Sequence, residues 1–150
     1  KKLKTVKPDM NVTTDVIVGF PGESVEEFEE CMETIKKIGF TKIHVFPYSD
    51  REGTVASKMA NKVPGNIKKE RVRKLLELSK SLEIDYMNKH LGNEVIFIPE
   101  VYEDGYLIGH SANYLLIKAK GDESFLSEEV IVKISKVEYP YLLGDVKNLN

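Results

Sequence analysis

The stretch Thr14–Glu23, reading TDVIVGFPGE, constrains the fold of this chain more than any other. Val16, Ile17 and Val18 are apolar and β-branched between polar flanks, which predicts a strand. Gly19-Phe20-Pro21-Gly22 then forces a tight turn, since two glycines and a proline fall within four positions. Ser24 and Glu27 follow at the spacing of a capping box, so a helix starts there. Strand, glycine turn and helix in this order build ligand sites in open α/β sheets and α/β barrels. The ligand lies at the carboxyl ends of the strands, beside the free N–H groups of a helix start. The same residues also make a compact βα connection with no ligand, and the pattern alone leaves both readings open.

The helix predicted over Val25–Ile38 carries Phe28, Cys31, Met32, Ile35 and Ile38 as one apolar stripe. Its other face is acidic early and basic late, as the helix dipole favours, and Gly39 stops it. Cys31, on the stripe, reads as a small buried hydrophobe. A second strand over Lys42–Phe46 runs into Pro47-Tyr48-Ser49 and the polar loop Asp50-Arg51-Glu52-Gly53-Thr54. Strand, helix and strand of these lengths form a βαβ unit with parallel strands. Parallel strands deliver their following loops to one edge, so GFPGE and PYSDREGT should face one pocket. His44 lies inside the second strand with no Cys or His neighbour and reads as a strand residue, not a metal ligand.

Lys58–Gly65 is a predicted loop, and Asn66 can cap a long helix over Ile67–His90. Val72, Leu75, Leu76, Leu82, Tyr86 and Met87 supply its apolar side. Lys68, Lys69, Arg71, Arg73 and Lys74 crowd its first half, either as a solvated face or as a contact to a nucleic-acid backbone. From Gly92 the texture changes to short alternating strands: Glu94–Val101, Tyr106–His110, Tyr114–Ala119, Val130–Val137 and Tyr141–Val146. Asp104-Gly105 between apolar runs is a hairpin signal. Five short strands at near-regular spacing predict a small closed barrel of the oligonucleotide-binding type. The expected fold class is therefore an α/β segment over residues 1–90 followed by a small all-β barrel over 91–150. Charge divides at the same place. Residues 1–90 hold 17 Lys and Arg against 14 Asp and Glu, and residues 91–150 hold 5 against 10.

Hydrophobic content of 41% with 31% charged residues fits a globular chain able to bury a core. No apolar run reaches the length of a membrane span. A single cysteine excludes an internal disulfide framework and fits a reducing cytoplasm. Residues 1–12 read as a helix end and a loop. The chain opens at Lys1 without a methionine, so a piece of something longer is expected. A parallel sheet cut short exposes a strand edge and an apolar helix face, which predicts self-association or close packing on a neighbour.

TDVIVGFPGE, then HVFPYSDREGT, then a long basic helix, then a small barrel carrying DGYLIGH and ending YLLGDV resembles the C-terminal part of a radical-S-adenosylmethionine methylthiotransferase. The resemblance covers essentially the whole chain. It is nearest to the branch that converts N6-threonylcarbamoyladenosine beside the tRNA anticodon to its 2-methylthio form. Ribosomal-protein and isopentenyladenosine methylthiotransferases are the neighbouring branches, and a stand-alone RNA-binding module is the non-enzymatic alternative. The final barrel is similar to a TRAM domain, an RNA-binding module.

The resemblance implies a partial (β/α) barrel, S-adenosylmethionine and two 4Fe–4S clusters, one of them held by CxxxCxxC. This sequence has no CxxxCxxC, so no catalytic residue and no metal ligand is expected here, and the piece alone should be inactive. By position, Ile17, Gly19, Phe20 and Pro21 would lie near the adenosyl moiety, with Phe46, Pro47 and Tyr48 lining the same edge. Glycine there would let the backbone approach a flat base. Tyr48 would either stack on a base or pack. Arg51 would hold a phosphate or carboxylate, or pair with Asp50 or Glu52. Glu23 would bind a ribose hydroxyl or serve the helix dipole. In the barrel, Lys118, Lys120, Lys133 and Lys136 would form a local patch for RNA if they share a face, beside the barrel's tyrosines. His110 and Asn113, expected in a hairpin loop, would read a base edge or simply shape the turn. The implied partners are the tRNA anticodon stem-loop and the missing N-terminal half of the same enzyme.

Overall fold

The β-branched run at 16–18 and the apolar run at 43–46 pair as two strands. The computed structural model describes residues 5–7 and 10–147. The helix end expected over residues 1–12 falls partly on residues 1–4, 8 and 9, outside the described residues. The chain divides into two compact units, Lys1–Glu83 and Ile84–Asn150.

In the first unit, β1 (Thr13–Val18) and β2 (Lys42–Pro47) run parallel, joined by α1 (Val25–Ile38). The register pairs Asp15 with His44 and Ile17 with Phe46. One sheet face, with Val16, Val18, Ile43 and Val45, packs with Phe28, Ile35 and Leu75. The other face, with Asp15, Ile17, His44 and Phe46, is exposed. The capping box forms: Glu27 N–H donates to Ser24 Oγ at 3.1 Å, and Ser24 N–H donates to Glu27 Oε2 at 2.9 Å. Gly39 closes α1 at φ 76°. Cys31 is half-buried against this core. Ile38 does not join the stripe; it is exposed in the last turn, beside the chain reversal at Gly39.

The long helix α2 (Gly65–Asn88) starts two residues before its expected first residue. Asn66 is inside it and is not its cap; Lys68 N–H instead reaches the Pro64 carbonyl at 3.0 Å. Its end comes at Asn88 and not His90, because Lys89, His90 and Leu91 bond back by three residues and tighten the last turn. Leu75 is fully buried, whereas Leu76, the next residue round the helix, is exposed. Ser79 is buried, and its hydroxyl accepts from Ile43 N–H at 3.0 Å while lying 3.2 Å from the Ile43 carbonyl oxygen. Within the preceding loop, Ala56–Lys58 forms one 3-10 turn.

The second unit is a closed five-stranded barrel in the order β3 (Glu94–Glu103), β4 (Tyr106–Ser111), β5 (Leu116–Lys120), β7 (Tyr141–Val146), β6 (Val130–Glu138). Among the described residues of this unit, β5 and β7 form the only parallel pair. Phe97, Leu107, Ile117, Val132, Ile134 and Leu142 fill the interior. Asp104 and Gly105 both take positive φ, as a two-residue hairpin turn requires. The third barrel strand starts at Leu116, not Tyr114, because Tyr114 sits in the turn at φ 60° and is 81% exposed. Two bulges bend the barrel wall, one at Glu100 and one at Ser135.

Candidate functional site

Two surfaces carry the sequence-predicted residues, one in each unit. In the first unit the turns after β1 and β2 leave from the same edge, because the strands are parallel. Tyr48 N–H extends the ladder to the Val18 carbonyl at 2.8 Å. The Phe20 and Tyr48 rings meet edge-on with centroids 5.2 Å apart. Ile17 and Phe46, partners in register, are 59% and 50% exposed, and Phe20 is 42% exposed. These three apolar side chains lie uncovered at the strand ends, where an α/β site would hold a flat ligand. Pro21 is buried beneath the turn and Pro47 is exposed at the end of β2.

Gly19 adopts φ +73°, and a Cβ there would stand 2.2 Å from Lys68 Cγ. The aliphatic stem of Lys68 thus fills the space opened by the missing side chain. Lys68 Nζ donates to the Tyr48 carbonyl at 3.1 Å and lies 6.0 Å from the Tyr48 ring centre. Tyr48 Oη is 3.0 Å from Asp50 Oδ1, and the Lys62 ammonium stands 5.5 Å over the ring. Desolvation first, then this carboxylate, raises the Tyr48 phenol above its ordinary pKa. Asp50 is held below the usual carboxylate range, chiefly by its hydrogen bond from Lys62 and then by Tyr48. Asp50 is therefore engaged by Lys62, and Arg51 makes no ion pair among the described residues. The guanidinium stands exposed on the loop.

Glu23 and Arg71 are the pair the sequence reading missed. Glu23 Oε2 accepts from Gly19 N–H at 2.5 Å and from Arg71 at 2.5 Å. The same guanidinium nitrogen donates to the Glu23 carbonyl at 3.1 Å, and the group lies 5.3 Å over the Phe28 ring. Arg71 is 6% exposed, so it belongs neither to a solvated face nor to a nucleic-acid contact. The signal was present: Arg71 precedes Leu75 by one turn, on the buried stripe of α2.

The barrel brings the predicted lysines to one wall. In register, Lys118 of β5 and Lys136 of β6 flank Leu143 of β7, and Lys120 and Lys133 flank Asp145. The bulge at Ser135 keeps Lys136 on the outward side. Lys118 Nζ lies 4.6 Å from the Tyr106 ring centre and 5.7 Å from that of Tyr141. Lys136 is paired with Glu138 at 2.8 Å, which holds that carboxyl low. His110 is not in a loop; it lies in β4 with Nδ1 2.9 Å from Glu100 Oε1. Asn113 is in the turn, but its amide points to Tyr86 Oη at 2.9 Å and His90 Nε2 at 3.3 Å, and its carbonyl accepts from Ser111 at 2.6 Å.

Among the described residues no group of three or more His, Cys, Asp or Glu can hold a metal ion. Burial, then the nearby Glu23 charge, pushes the Cys31 thiol above its ordinary pKa, away from the thiolate a cluster needs. No helix among the described residues is long and apolar enough to cross a membrane.

No family model matches the chain. Curated relatives do. It is 43% identical over 148 residues to the threonylcarbamoyladenosine tRNA methylthiotransferase MtaB of Bacillus subtilis, covering 95% of this chain and 33% of that protein. It is 40% identical over 115 residues to the enzyme of the same name from Thermotoga maritima, covering 76% and 26%. It is 38% identical over 136 residues to the tRNA-2-methylthio-N(6)-dimethylallyladenosine synthase of Aquifex aeolicus, covering 91% and 31%. The chain thus spans between a quarter and a third of the length of these relatives. With its two strand-end turns and its terminal barrel, it belongs to the tRNA methylthiotransferase family, as the counterpart of the C-terminal third of its members.

Proposed function

We propose that this chain is the C-terminal part of a radical-S-adenosylmethionine methylthiotransferase that modifies N6-threonylcarbamoyladenosine beside the tRNA anticodon, in the cytoplasm. The observation that carries the reading is the meeting of the GFPGE and PYSD turns at one parallel-sheet edge, in a chain whose relatives bear that activity in their names. Residues 1–90 are read as the last βα units of the partial barrel and residues 91–150 as the TRAM barrel. The higher identities to the two threonylcarbamoyladenosine enzymes favour that branch over the dimethylallyladenosine one.

The uncovered apolar strand ends suit an adenosyl group: Ile17, Phe20 and Phe46 offer flat contact, and Gly19, Pro21, Pro47 and Tyr48 shape the rim. Ile17, Phe20 and Phe46 would hold S-adenosylmethionine, which, given an electron from a cluster held outside this segment, would supply a carbon radical able to take a hydrogen atom from the substrate. The iron–sulfur clusters do not fit here, since the sequence has one cysteine, half-buried on the apolar stripe of α1, and burial pushes its thiol pKa up. This segment's share is therefore binding and positioning. Arg51, exposed on its loop and in no ion pair among the described residues, would meet a phosphate or the cofactor carboxylate. On the barrel, Lys118, Lys120 and Lys133 with Tyr106 and Tyr141 form a cationic, aromatic wall suited to single-stranded RNA. His110 stands on the neighbouring strand, while Asn113 shapes the turn with its amide already engaged.

The test uses the full-length protein, with clusters reconstituted anaerobically, and mass analysis of tRNA nucleosides. A methylthio group on N6-threonylcarbamoyladenosine is the expected product. Its appearance on dimethylallyladenosine instead would move the protein to the sister branch, and no modified nucleoside at all would overturn the reading.

A further inference from the structure

The basic first half of α2 does not face outward as a unit. Lys68 and Arg71, one turn apart, both turn toward the strand ends. Each holds a different turn. Arg71 grips Glu23, whose carboxylate in turn takes the Gly19 N–H. Lys68 packs its stem into the gap at Gly19 and donates its ammonium to the Tyr48 carbonyl. A third tie, from Gly22 N–H to the Asn61 carbonyl at 2.9 Å, anchors the far side of the first turn.

We infer that Arg71, Glu23 and Lys68 are positioning residues: a two-pronged clamp through which α2 fixes the backbone of both turns in a shape ready for the adenosyl group. The clamp acts on backbone atoms. Glu23 fixes the N–H of Gly19, a residue held at φ +73° that would otherwise be among the most mobile of the turn. Lys68 fixes the carbonyl of Tyr48, whose ring meets Phe20. None of the three needs to touch the ligand. Arg71 is buried and Glu23 half-buried against it, so a charge left there without its partner is costly. Removing Arg71 alone should therefore disturb the turn more than removing both charges.

This inference rests on the S-adenosylmethionine reading of the edge, and the test separates the two. In the full-length protein, S-adenosylmethionine affinity and backbone amide exchange at Gly19–Glu23 are measured for wild type, Arg71→Met, Glu23→Gln, the double variant, Arg71→Lys and Lys68→Met. Wild type that fails to bind S-adenosylmethionine overturns the site reading, while exchange still reports on the clamp. The clamp predicts that Arg71→Met weakens affinity about tenfold and speeds exchange at Gly19, with the thermal midpoint showing that the fold persists. Arg71→Lys should restore part of the loss. The double variant should lose less than Arg71→Met. Lys68→Met, if Arg71→Met fails to fold, should still weaken binding and loosen the Tyr48 turn. Unchanged affinity and exchange in folded variants would overturn the clamp.

Discussion

Replacing Lys118 by alanine should remove one phosphate contact from the barrel wall, and salt dependence is the measurement that isolates it. Of the four wall lysines, Lys136 is tied to Glu138, and Lys120 and Lys133 flank Asp145 in the strand register. Lys118 makes no ion pair among the described residues and stands between two tyrosine rings. Counting Lys118, Lys120 and Lys133 as three contacts gives a slope of log affinity against log salt of about −2 on single-stranded RNA, at roughly 0.7 per contact. Lys118→Ala should flatten the slope to about −1.4. The affinity lost is about fivefold at 0.1 M salt and vanishes near 1 M, since one contact is worth about 0.7 decade per decade of salt. Fluorescence anisotropy on an anticodon stem-loop reads both values. Asp145→Asn should act oppositely, tightening binding at low salt. A Lys118→Ala line parallel to wild type would show that the lysine meets no phosphate, and the wall would lose its claim to RNA.

Gly109→Ala places a Cβ 2.0 Å from the Ile98 carbonyl oxygen, which is backbone and cannot step aside, so a loss of about 3 kcal/mol in urea melts is expected. Leu75→Ala, at a fully buried site among Val18, Phe28 and Ile43, should cost about 3 kcal/mol in the same assay. Asp50 titrates below the ordinary carboxylate range, so its tie to Lys62 is whole above that range and is lost as pH falls through the depressed value. Carboxyl NMR titration should show Lys62→Met moving the Asp50 midpoint upward, and an unmoved midpoint would remove Lys62 as the cause.

What could be read from the residues was whatever local chemistry decides. Ser24 and Glu27 announce a capping box, and Asp104-Gly105 a two-residue hairpin, because each satisfies its backbone groups within a few residues. Parallel pairing of β1 and β2 followed from the helix between them. What depended on distant partners was hidden. Arg71 looks like one more cation in a basic run until Glu23, 48 residues earlier, is brought beside it. Asn66 has a capping residue's chemistry, yet Pro64 opens α2. Lys136 would fall out of phase with Lys133 by simple alternation, and only the extra residue at Ser135 returns it to the same wall. Ile38 and Leu76 fit apolar spacing but sit at the margins of their helices' buried faces, where periodicity is a poor guide.

Ser79 has a consequence for how this sheet can be extended. Its hydroxyl meets both backbone groups of Ile43, the N–H and C=O that β2 directs away from β1. A newcomer seeking to zip onto that side finds its first rung already taken by a helix. Pairing on that flank is hindered at this rung, which favours addition alongside β1. Ser79→Ala would unlock the blocked flank and leave two main-chain groups without partners, an invitation to the wrong neighbour.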